Sequence, residues 1–165
     1  MNLNKYKLLA GDASFRKFYR SSQNSIIVFS KKNKYLNLVV YDAMNNCLIK
    51  NGIKAPKLKK EFYKRNYIEI EDLGNVSILK TLKRKKNKNK IYYDIIRILK
   101  LIQKIRTKNL ATFLKVKYKI PQYTKAKLLN EANLFLQWYL PKVIKKSEIN
   151  KAKTEIKTSF VDLFK

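Results

Sequence analysis

The hydrophobic period of the chain changes once, near residue 75, and that change limits the folds open to it. Before it, apolar residues come in short runs broken by turn residues; after it, they recur every three or four positions. Ile91, Ile95, Ile98, Leu99, Ile102 and Ile105 form one stripe, so Ile91 to Arg106 is expected as an amphipathic helix. Leu128, Ala132, Phe135, Leu136 and Tyr139 form a second stripe, begun after Pro121 by a Thr124 cap and expected to end at Pro141. A shorter helix is expected from Ser147 onward. Strands first and helices afterwards give an α+β chain with a sheet lobe and a helical lobe.

The first part reads as strand and turn. Tyr6 to Leu9 and Phe15 to Tyr19 flank Gly11-Asp12-Ala13-Ser14, a spacing that suits a hairpin with a glycine-containing loop. Ser25 to Ser30 is a third strand candidate. From about Lys34 to Lys50, Leu38, Val39, Met44 and Leu48 fall near helical spacing, and Asn51-Gly52 supplies a stop. Lys57 to Tyr63 and Tyr67 to Glu71 are two further strands, closed by the turn Asp72-Leu73-Gly74-Asn75. Lys83 to Lys90, KRKKNKNK, is a charged run that packs poorly and is expected as an exposed connection or a frayed helix end.

Charge narrows function less than its size suggests. The 39 Lys and Arg against 11 Asp and Glu give +28, which points to nucleic acid through counterion release. Yet the cations are mostly Lys, spread along the chain beside abundant Asn, Ile and Tyr, and AT-rich codons favour that same set. Compositional drift and selected binding both fit. The absence of histidine is sharper, since it removes the commonest general base, the commonest metal ligand and every Ser-His or Cys-His pair. Cys47, the single cysteine, lies in an apolar-patterned stretch and is expected as a buried thiol. No apolar run approaches the roughly 20 residues that span a bilayer, and the N-terminus lacks a signal-peptide core, so a cytoplasmic chain with no membrane partner is expected.

Several stretches resemble the aminoglycoside phosphotransferase family. LAGDASFRKFYR at Leu9 to Arg20 is similar to the family's nucleotide-loop hairpin, in particular the AGDASxRxYxR string of its bacterial amino-sugar kinases acting on N-acetylmuramate and N-acetylglucosamine in cell-wall recycling. SIIVFS at Ser25 to Ser30, NGIKAPKL at Asn51 to Leu58 and IEIEDLGN at Ile68 to Asn75 follow in the family's order. IPQYTKAKLLNEANLFLQWYLP at Ile120 to Pro141 resembles that branch's WYL-containing helical stretch. The resemblance implies a kinase-like N-lobe over 1–75, an antiparallel sheet plus a helix, and a partial helical C-lobe over 76–165. It implies ATP and Mg as cofactors, an amino sugar as substrate, and a nucleotide held by Gly11, Asp12, Ala13, Ser14, Phe15 and Arg16 of the hairpin with Glu71, Asp72 and Leu73 of the hinge.

Each piece also has a plain reading. Small residues at Gly11, Ala13 and Ser14 let backbone N–H groups approach phosphate, and they equally make an ordinary turn. Arg16 and Arg20 can reach phosphate or simply alternate outward. Trp138 and Tyr139 pack a helical core more readily than they stack on a ligand. In the family, a His-x-Asp loop with an Asn five residues later and a further acidic residue supply base and metal ligands. This sequence has no histidine and ends where that loop should begin, so no catalytic residue and no metal ligand is assigned. The family's sheet lysine falls at Phe29, with Lys31 and Lys32 nearby, and the following helix offers only Asp42 as an acid. The later helices' apolar stripes are expected to face water unless a second polypeptide completes the lobe. The chain is therefore expected to be inactive alone, and a nucleic-acid-binding protein is the alternative.

Overall fold

The computed structural model describes residues 5–9, 14–21, 24–84 and 87–163. The chain divides into two compact units, Met1–Ile120 and Pro121–Lys165. The first is α+β, built on a five-stranded antiparallel sheet.

Strands β1 (Lys7–Leu8) and β2 (Lys17–Arg20) form the expected hairpin, pairing Lys7 with Arg20 and Leu8 with Tyr19. β3 (Ser25–Phe29) pairs with β2, Phe18 opposite Val28. The chain then leaves the sheet through a wide helical turn, Tyr35–Val40, that runs into α1 (Tyr41–Lys50). At the expected stop, Gly52 takes φ +75, Ile53 N–H donates to the Leu48 carbonyl, and the Asn51 side chain donates to the Cys47 carbonyl. β4 (Leu58–Phe62) and β5 (Tyr67–Glu71) complete the sheet in the order β1-β2-β3-β5-β4. β4 carries a bulge between Leu58 and Lys60.

Alternation sets the core. Ile26 lies opposite Ile70 and Val28 opposite Ile68, so these four side chains share one sheet face and pack with Leu38. Phe18, Tyr41, Leu58, Tyr63 and Phe113 close around them.

Beyond β5 come α2 (Ile78–Arg84) and α3 (Asn89–Lys104), the latter close to the expected span. No residue of α3 is buried. A two-stranded sheet that periodicity did not suggest, β6 (Asn109–Ala111) with β7 (Lys117–Lys119), packs Leu110 on Ala43 and Cys47 of α1. Cys47 is a buried free thiol, as its apolar surroundings imply.

The second unit holds α4 (Lys125–Leu134), α5 (Leu140–Val143) and α6 (Ile149–Leu163). Thr124 caps α4 as expected, its hydroxyl accepting from Lys127 N–H. Pro141 does not end the helix. A wide turn over Phe135–Tyr139 precedes it, and Pro141 sits in the first turn of α5, where a missing N–H costs nothing. Among the described residues no helix is long and apolar enough to cross a membrane.

Candidate functional site

Two features of the first unit gather the chemistry: a junction between the hairpin and the end of β5, and a cleft at the hairpin's other end.

At the junction, Arg20 closes β2 beside the turn that follows β5. Its Nε donates to Asp72 Oδ2 at 2.6 Å and its Nη2 to Asp72 Oδ1 at 3.0 Å, a two-pronged ion pair. Nη2 also donates to the Gly74 carbonyl and Nη1 to Asn75 Oδ1. Asp72 Oδ1 accepts from Gly74 N–H at 2.8 Å, which folds the turn, and Gly74 adopts φ +89 to permit it. Hydrogen bonding from Arg20, then from the Gly74 N–H, holds the Asp72 carboxyl below the usual carboxylate range. Glu71 is half-buried: its N–H donates to the Lys57 carbonyl, and its carboxylate accepts from Lys57 N–H. Leu73 is 46% exposed.

The cleft, about 540 Å³, opens at the loop end of the hairpin. Leu8, Leu9, Phe15 and Phe29 give it an apolar wall, and Arg16, Lys17, Lys31 and Lys32 give it four cations. Ser14 lines it too, its Oγ accepting from the Arg16 N–H at 3.2 Å and Nε at 2.9 Å. The Arg16 guanidinium lies over the Tyr41 ring, 4.6 Å from its centre, and Lys32 Nζ lies 5.5 Å from the centre of the Phe15 ring. No carboxylate lines the cleft among the described residues. Such a lining suits an anion with a flat or apolar portion.

The residues predicted from sequence therefore separate. Ser14, Phe15 and Arg16 line the cleft; Gly11, Asp12 and Ala13 lie outside the described residues. Glu71, Asp72 and Leu73 do not line it and belong to the junction. β2 joins the two, with Lys17 at the cleft and Arg20 at the junction, about 10 Å apart along the extended chain. Phe29 lines the cleft, with Lys31 and Lys32 beside it. Sequence reasoning did not single out Leu8, Leu9 or Lys17, which strand pairing brings there.

Asp42 stands apart from both features. It is 1% exposed on α1, its Oδ2 accepts from Asn46 Nδ2 at 3.0 Å, and its Oδ1 has no hydrogen-bond partner among the described residues. Burial pushes its carboxyl up to about 6, against the lowering effect of Asn46. Among the described residues no group of three or more His, Cys, Asp and Glu is placed to hold a metal ion, so the residues present do not fit a magnesium site. Comparison with models of protein families and with curated proteins returns no match.

Proposed function

We propose that this chain is the nucleotide-holding portion of an ATP-dependent small-molecule kinase of the aminoglycoside phosphotransferase type, inactive on its own. The observation that carries the reading is the cleft: four cations and an apolar wall around Ser14, Phe15 and Arg16, the described part of the motif that most resembles the family's nucleotide loop. In this reading Arg16, Lys31 and Lys32 meet the phosphates and Phe15 and Phe29 border the flat or apolar part. The junction through Arg20 and Asp72 supports it, because it ties the hairpin to the segment that resembles the family's hinge. A sheet with a helix between its third and fourth strands also agrees with a kinase-like N-lobe. The amino sugar of the related enzymes would be the substrate of a completed protein, which the proposal puts in the cytoplasm beside its ATP.

Titrating ATP into the full chain tests it. ATP should raise the melting temperature, because a ligand that binds only the folded state stabilises it by mass action. Lys31→Gln with Lys32→Gln should abolish that rise. No shift at saturating ATP would refute the reading. Oligonucleotide binding that falls steeply with salt and that ATP fails to displace would favour the nucleic-acid alternative, which the charge of +28 keeps in view. No phosphorylation of N-acetylmuramate or N-acetylglucosamine by the isolated chain is expected.

A further inference from the structure

Helix α3 is amphipathic to a degree its surroundings do not use. At 3.6 residues per turn, Ile91, Ile95, Ile98, Leu99 and Ile102 fall on one side, and Lys90, Arg97, Lys100 and Lys104 on the opposite one. Leu99 is 52% exposed and Ile98 and Ile102 are exposed with it, while Ile91 and Ile95 are half-buried. The single acid on the helix, Asp94, is ion-paired with Arg97. The sequence leading into the helix and through its first two residues, KRKKNKNK, holds six cations in the eight residues from Lys83 to Lys90.

We infer that α3 lies on an anionic lipid surface, its isoleucines at the acyl boundary and its cations, with Lys88 just before it, among the headgroup phosphates. Lying on a bilayer and crossing one are separate requirements. A 16-residue helix is too short to span but needs only one apolar side to settle into the interface. The choice of occupant follows from charge. A second copy would bring the same net charge of +28, and the repulsion between two such chains opposes a contact between their isoleucine stripes. A nucleic acid would neutralise the cations but leave the isoleucine stripe in water. A bilayer bearing acidic lipids answers both at once, and a cluster of Lys and Arg next to an amphipathic helix is the pattern such surfaces attract.

The test is cosedimentation of the full chain with vesicles of phosphatidylcholine alone and of phosphatidylcholine with an equal part of phosphatidylglycerol. Association with the acidic vesicles only is expected, weakened about fivefold for each of Lys88→Gln and Lys90→Gln. The decisive comparison is Leu99→Glu against Tyr93→Glu, the same change of charge on opposite sides of the helix. Tyr93→Glu should weaken association about fivefold, as the loss of one cation does, and Leu99→Glu at least about fiftyfold, because it also removes apolar contact. Ile98→Ser, which adds no charge, should weaken it at least about tenfold. Equal effects of the two Glu variants would reduce the association to bulk charge and overturn the proposal. So would the absence of binding to acidic vesicles, or a stable dimer by light scattering that Leu99→Glu dissociates.

Discussion

Arg20 and Asp72, separated by 52 residues in the chain, meet through two parallel hydrogen bonds of 2.6 and 3.0 Å and so bind the hairpin to the segment that follows β5. Because the same arginine also holds the Gly74 carbonyl and the Asn75 side chain, the whole turn takes its position from β2.

Arg20→Ala should therefore loosen the turn more than the sheet. We expect a loss of about 1–2 kcal/mol in urea unfolding, the range for a hydrogen-bonded charge pair near the surface. Hydrogen exchange should rise at Leu73 and Gly74 while Ile26 and Ile68 stay protected. The pair also has a pH signature. Asp72 titrates lower in the folded state than when unfolded, so its contribution is complete above the unfolded value near 3.8 and is lost as pH falls through the lowered one. Arg20→Ala should remove that acid-side loss, and an unchanged acid limb would contradict the assignment.

Asp42 behaves in the opposite sense. Unfolded, it titrates near 3.8; folded, burial raises it to about 6. Between those values the folded protein holds a proton that the unfolded chain has released. Stability then falls as pH rises through the window, and the cost is complete above it, about 3 kcal/mol by linkage. Asp42→Asn keeps an acceptor for Asn46 and removes the charge. Urea midpoints measured across pH should show the variant more stable by about 2–3 kcal/mol at neutral pH and flat where the parent slopes.

Magnesium should be dispensable for nucleotide binding. The described lining of the cleft presents cations and no carboxylate, so in the proposed reading Arg16, Lys31 and Lys32 would meet the phosphates directly. Calorimetric titration of ATP should give the same affinity with magnesium and with EDTA. An affinity that collapses in EDTA would point to metal-holding carboxylates elsewhere.

The β6–β7 sheet depends on Leu110, 3% exposed against Ala43 and Cys47. Leu110→Ala should cost about 2–4 kcal/mol by the loss of buried methyl groups and the space they leave. It should also open Cys47, so that a thiol reagent reacts faster with the variant than with the parent under native conditions.

What could be read beforehand was what is local. β1 to β5, α1, α3 and the Thr124 cap all follow from alternation, helical spacing or turn residues within a few positions of one another. β6 and β7 escaped because three residues each, rich in Lys and Asn, carry almost no period; they exist through Leu110 docking on α1. Pro141 misled because a helix normally breaks there, and the wide turn before it has no compositional mark. Of the candidate site, Ser14 to Arg16 and the basic pair Lys31 and Lys32 were legible from resemblance and position. The Arg20–Asp72 pair and the cleft walls from Leu8, Leu9 and Lys17 were not, since strand pairing alone brings them together.

The bulge in β4 has a protective consequence. β4 lies at the margin of the sheet, where unpaired backbone groups would otherwise offer a template to a neighbouring chain. The irregularity between Leu58 and Lys60 breaks the even spacing of those groups, and Lys59, Lys60 and Glu61 all stand exposed along the same margin. A sixth strand from another molecule would meet a crooked, charged border, which guards this side of the sheet against fibrillar growth.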